Sequence, residues 1–112
     1  MVRKPAPAVF HSKELDELLN GLDSEDKRRR WVEDMEIIPL ENMYAGDLIP
    51  KKRIPGYYVE RYGVNNLYRY RLPEGHRAFY TIFNREGIGV CPTILDLLDH
   101  SEYERRFGYR KR

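Results

Sequence analysis

The stretch "NLYRYRLPEGHRAFYTIF", residues 66–83, decides the fold. Two runs rich in tyrosine, phenylalanine and β-branched residues flank a Pro-Glu-Gly turn, which is the pattern of two antiparallel strands joined by a short connection. Side chains alternate along a strand, so Tyr68, Tyr70 and Leu72 share one face and Leu67, Arg69 and Arg71 the other. The tyrosine set reads as the core-facing one. Arg69 and Arg71 then project about 7 Å apart, the scale of successive phosphates on a nucleic-acid strand. Arg77 opens the neighbouring strand close by, but its face depends on a hairpin register that sequence does not fix.

A third apolar run, residues 88–98, follows Asn-Arg-Glu-Gly and completes a three-stranded antiparallel meander over residues 67–98. Pro92 inside it must fall at an edge, at a bulge, or where its missing N–H is not needed. Upstream, Pro5 and Pro7 lead into Val9-Phe10, a short edge strand. Ser12 is a suitable N-cap for a helix carrying Leu15, Leu18, Leu19 and Leu22 at helical spacing, with Gly21 near its end. Asp23 or Ser24 caps a second helix, in which Trp31, Met35 and Ile38 face inward until Pro39 stops it. Lys27, Arg28, Arg29 and Arg30 suggest a nucleic-acid patch, yet Glu33, Asp34 and Glu36 lie within helical reach, so a solvated face is the better reading.

Residues 39–66 are broken repeatedly by proline and glycine but hold too many apolar and aromatic residues for a loose linker, and they read as an ordered basic connection. Residues 99–112 form a short helix and a basic tail. The expected architecture is one α+β domain over residues 1–112: an N-terminal strand and helical hairpin (1–38) packed on one face of a small antiparallel sheet, with the other face open.

With 112 residues and 41% hydrophobic content, the chain fits one soluble domain. No apolar run is long enough to span a bilayer and the basic N-terminus lacks a signal-peptide core, so the expected location is cytoplasmic. Cys91 is the only cysteine, which excludes an internal disulfide and reads as a small buried residue. His11, His76 and His100 are scattered without metal-ligand spacing, and neither a metal nor a cofactor is expected. The net charge of +2 conceals a strong asymmetry: residues 10–50 carry five Lys or Arg against eleven Asp or Glu, and residues 51–85 carry eight against two. The basic half is the side that seeks an anion. Exposed arginines alternating with tyrosines also occur on stable sheets with no ligand. Here, however, Glu74 is the only acidic neighbour in sequence for three arginines.

The run "LYRYRLPEGHRAFYTI", the strand "GVCPTILDLLDH" and the ending "EYERRFGY" resemble the C-terminal half of the RelE/ParE superfamily of bacterial and archaeal toxins. The likeness is specific over residues 67–109 and architectural before that; the connection 39–66 is longer than the family's. The resemblance implies a RelE-like fold and a ribosome-dependent endoribonuclease, an mRNA interferase that inhibits translation. Such enzymes cut mRNA in the ribosomal A site without a metal, by attack of a ribose 2′-OH on the phosphodiester, and a cognate antitoxin neutralises them. It also admits a non-catalytic member that binds an antitoxin, RNA or a topoisomerase.

Carried over residue by residue, Arg69 and Arg71 match two strand positions that are often lysine, and Arg77 matches the arginine after the turn. His100 falls where a basic residue follows the last strand, and Tyr103 or Tyr109 matches the terminal tyrosine. Arginine remains protonated and makes a poor base, so His100, whose imidazole exchanges protons near neutrality, is the expected base. Helix-start packing is the alternative for His100, and packing against the sheet the alternative for both tyrosines. Lys51, Lys52 and Arg53 either extend the RNA-binding surface or form a solvated basic loop.

Overall fold

The computed structural model describes residues 3–108. In chain order these form β1 (Phe10–His11), α1 (Lys13–Asn20), α2 (Lys27–Glu41), β2 (Asp47–Leu48), a 3-10 turn (Lys51–Arg53), α3 (Gly56–Tyr62), β3 (Tyr68–Arg71), a 3-10 turn (Pro73–Gly75), β4 (Arg77–Arg85), β5 (Gly89–Leu98) and α4 (His100–Phe107). The strands make one five-stranded sheet in the order β1-β5-β4-β3-β2. The expected meander is its centre. The sheet is mixed rather than antiparallel throughout, because β1 pairs parallel to β5 through Phe10↔Thr93 and His11↔Ile94. Pro92 lies just outside the short span that β1 covers, where no strand among the described residues pairs with the outer edge of β5.

The hairpin register Tyr68↔Tyr80 and Arg69↔Phe79 assigns the faces. On one face Tyr68, Ala78, Tyr80, Ile94 and Leu97 pack against Leu15 of α1 and Val32 and Met35 of α2, with Tyr70 and Leu72 at the margin. This is the predicted helical hairpin on the predicted tyrosine face. Its details differ. Asp26, not Asp23 or Ser24, caps α2, because its carboxylate accepts from the Arg28 backbone N–H at 2.9 Å and also binds the Arg28 guanidinium. Val32 takes the inner position expected of Trp31, whose half-buried ring instead meets His76 at 5.0 Å. The helix does not stop at Pro39 but runs through it to Glu41, with the proline ring fully buried.

The opposite face is not open. Ile49, Tyr58, Val64, Leu67, Phe79, Leu95, Leu98 and Tyr103 form a second core there, under α3 and α4. A register shift between Phe79 and Tyr80 brings both Leu95 and Leu98 to this side. The Pro55 and Gly63 that look like chain breaks are the boundaries of α3: Pro55 stands at its N-cap and Gly63 ends it in the left-handed region, at φ 64°. Asp99 and Glu102 form a reciprocal capping box that fixes the start of α4. Among the described residues no helix is long and apolar enough to cross a membrane.

Candidate functional site

Arg69, Arg71 and Arg77 do share a face. Arg71 stands directly opposite Arg77 in the register, and Arg69 opposite Phe79. Like charges in facing positions oppose pairing, so the sheet tolerates a local cost here. The segment before β3 relieves part of it. Asp47, on β2, pairs with Arg69 in register; its carboxylate accepts from Arg69 Nη2 at 3.0 Å and lies 3.7 Å from Arg71 Nε. Arg69 Nη1 donates to the Tyr103 hydroxyl at 2.8 Å. Arg77 lays its guanidinium over the Tyr103 ring, 4.5 Å from the centroid, and donates to the Gly75 carbonyl. Tyr103 is thus bound at its hydroxyl by one arginine and at its face by another.

Exposure separates the three cations. The Arg69 side chain is 19% exposed and that of Arg71 68%. The Nε atoms of Arg69 and Arg77 are buried without a hydrogen-bond partner among the described residues. Burial opposes the charge on Arg69, but hydrogen bonds to Asp47 and Tyr103 outweigh it and hold the guanidinium above its ordinary pKa. A partly neutralised cation cluster with one well-exposed member, Arg71, can accept an oxyanion.

His100 is the first residue of α4, at the same end of the sheet. A Cβ built on Gly75 would lie 3.3 Å from the His100 Cβ, so the turn and the helix start touch. Its ring is 59% exposed, and Nε2 is 3.1 Å from the Glu104 carboxylate one turn along, which directs it along the helix rather than toward the arginines. Tyr109 lies outside the described residues. Lys51, Lys52 and Arg53 are exposed in their 3-10 turn. The antiparallel run of β2 along β3, continued by Ile49 N–H to Leu67 C=O, carries them toward the Leu67 end and away from Arg71. The four cations of residues 27–30 are engaged within the chain, for example Lys27 with Glu74 at 2.7 Å and Arg30 with Asp34 at 3.4 Å.

Sequence reasoning missed two acids. Asp47 offered little signal beyond being a lone acid at the entrance to the basic half. Asp96 offered more, as the only charged residue in the apolar run 88–98. It lies in the row Asp47, Arg69, Phe79, Asp96 across the sheet. The Tyr58 hydroxyl donates to both of its oxygens, at 2.9 and 3.1 Å, and Arg106 Nη1 donates at 3.0 Å. The Arg106 guanidinium in turn covers the Tyr57 ring at 3.8 Å. Asp96 therefore anchors α4 and, through it, the position of Tyr103.

Burial dominates at this carboxyl. It raises Asp96 from an ordinary 3.8 to about 6, against the opposing pull of Tyr58 and Arg106. The same burial, with the Asp96 charge, pushes the Tyr58 hydroxyl far up. The folded state thus holds the Asp96 proton more tightly than the unfolded chain. Stability from this group is complete below about pH 4 and declines as pH rises toward about 6, by roughly 3 kcal/mol in all. Urea unfolding across that window should show the decline, and Asp96→Asn should flatten it. An equal slope in the variant would rule Asp96 out as its source.

Gly46 fixes the approach of β2. Its N–H donates to the Tyr80 hydroxyl at 2.9 Å, and that hydroxyl donates to the Met43 carbonyl at 2.9 Å. A Cβ on Gly46 would stand 2.9 Å from the Tyr80 ring and hydroxyl and 3.0 Å from the Arg69 carbonyl. Tyr80 is fully buried and stacked on Tyr68, so it has no room to move. Gly46→Ala is expected to cost about 1–3 kcal/mol in urea unfolding and to loosen Asp47 from the arginines. A cost below about 0.5 kcal/mol would mean that β2 shifts freely.

Compared with protein-family models, with curated proteins and with solved structures, the chain has no match.

Proposed function

We propose that this chain is a RelE-like endoribonuclease that acts on mRNA in the ribosomal A site and is neutralised by a cognate antitoxin. The observation that carries the reading is the convergence of Arg69, Arg77, Asp47 and the Tyr103 hydroxyl on one patch of the sheet, with exposed Arg71 beside it. The element order, with β1 parallel to the last strand and a helical hairpin on one face, is compatible with that family's architecture.

The arrangement suits metal-independent cleavage. Attack of the 2′-OH on phosphorus needs a base for its proton, positive charge on the pentavalent phosphate, and an acid for the departing 5′-oxygen. Asp47 supplies the base that the arginines cannot. A phosphate entering between Arg69 and Arg71 takes over the Arg69 hydrogen bond and the Arg71 ion pair, and the displaced Asp47 carboxylate is left beside it to accept the 2′-OH proton. Arg69 and Arg71 then carry the transition-state charge, and Arg77 holds the Tyr103 ring. The Tyr103 hydroxyl, held at Arg69, is placed to serve the leaving oxygen, and His100 can do so only by turning away from Glu104.

The second reading, a non-catalytic member of the same fold that binds an antitoxin, RNA or a topoisomerase, is favoured by the internal engagement of Arg69 and Arg77. The deciding experiment programs purified ribosomes with a defined mRNA, adds the protein with excess chelator, and maps new 5′ ends by primer extension. Cuts in the A-site codon, absent without ribosomes, are expected. Intact mRNA at protein in excess of ribosomes would overturn the nuclease reading, and retention of RNA or partner would then establish the binding one. An antitoxin is expected to lay an acidic, amphipathic segment over the basic side.

A further inference from the structure

The face that bears the arginine cluster also holds a separate cavity of about 560 Å³ at its far end, of a size that suits a small ligand. Its floor is the outer part of β4 and β5, and its walls are the β1–α1 junction and the end of α3. The lining mixes an apolar side, to which the half-exposed Phe83 contributes, with hydroxyls of the buried Thr81 and Thr93.

Among the groups that line it, Lys13, Arg61 and Arg85 outnumber Glu14. Arg61 and Glu14 neutralise one another at 2.7 Å, and Glu14 also accepts from the Tyr62 hydroxyl at 3.0 Å. His11 is held by Asp16 and Glu36. That leaves Lys13 and Arg85, neither of which has an ion-pair partner among the described residues. Arg85 is set in a fixed pose: its guanidinium lies between the rings of Phe10, at 3.9 Å, and Phe83, at 4.9 Å, and Nη2 donates to Thr93 Oγ1 at 3.3 Å. Its Nε is buried with no acceptor. A pre-oriented guanidinium lacking a carboxylate, beside an exposed ring and a lysine, is built to receive a compact anion attached to a flat body.

We propose that this cavity binds a small aromatic or heteroaromatic molecule carrying one compact anionic group, its carboxylate or phosphate taken by Arg85 and Lys13 and its ring lying against Phe83. The site is independent of the nuclease reading, since it shares no residue with the arginine cluster.

The test titrates ¹⁵N-labelled protein at low salt with adenosine 5′-monophosphate and with indole-3-acetate, and with adenosine and indole as their uncharged counterparts. Saturable shifts of the Lys13, Thr81, Arg85 and Thr93 amides are expected with at least one anion, with its neutral counterpart binding about tenfold or more weakly. The tighter of the two anions assigns the group as phosphate or carboxylate. Arg85→Gln should weaken binding about tenfold, and the exposed Lys13→Gln severalfold, so the result does not depend on one variant's folding. The proposal is overturned if neither anion moves these amides at millimolar concentration, if the neutral molecules bind equally well, or if both variants bind like the parent.

Discussion

Phe79→Ala is expected to destabilise the protein by about 3–5 kcal/mol, roughly a fifth or more of the stability of an ordinary domain. Phe79 is fully buried at the middle of the sheet, and its ring stacks on Phe107 at 4.8 Å and Tyr103 at 5.9 Å and meets Tyr58 at 5.9 Å. Its ring meets side chains of both α3 and α4. Removing it opens a cavity beneath two helices, and collapse around the gap would have to move Tyr103, which stacks on the ring that is lost. Thermal unfolding should fall by at least about 10 °C. Phe79→Leu, which keeps most of the volume, should recover much of the loss. A loss below about 1 kcal/mol for the alanine variant would mean that the second core does not hold α4 down.

Arg69→Ala is expected to reduce ribosome-dependent cleavage by about 10²–10³-fold, the usual consequence of removing a transition-state donor. The same guanidinium bridges Asp47 and Tyr103, so its loss also unlinks these two side chains. Arg69→Lys retains the charge but cannot span two acceptors with a planar fork, and should sit between alanine and parent. Folding should change little by comparison, since Asp47 retains Arg71 and Tyr103 retains its stacking. Asp47→Asn separates two roles for the carboxylate. As a base it is required, and cleavage falls while RNA binding holds or tightens. As a mere competitor for the arginines it is dispensable, and cleavage rises with affinity. Unchanged cleavage in Arg69→Ala would remove the cluster from the mechanism.

The alternation of residues 67–72 was sufficient to separate Tyr68 and Tyr70 from Arg69 and Arg71, because a two-residue period leaves no ambiguity once one face is apolar. The face of Arg77 needed the register, which is a long-range property. What lay beyond local pattern was the covering of the second face. The Tyr57, Tyr58 and Tyr62 of α3 are bounded by Pro55 and Gly63, and a seven-residue helix between such residues has too short a period to distinguish from an irregular loop. The open face expected from residues 67–98 alone was closed by residues 39–66 and 99–108. Asp47 was illegible for a related reason: its partners are 22 residues or more away, and only the pairing of β2 with β3 brings them together.

The parallel strand pair has a consequence for the order in which the molecule assembles. Ser12 caps α1 and donates to the Leu95 carbonyl, a bond that closes a separation of 83 residues, and Phe10 and His11 wait for the same strand. The β4–β5 hairpin, by contrast, joins neighbours in the chain and can zip locally. In synthesis α1 and α2 precede β5, whose Ile94 and Leu97 complete the core over Leu15, Val32 and Met35. Docking of β1 is therefore expected to be a late event of folding, because Phe10 and His11 pair with a strand more than 80 residues away.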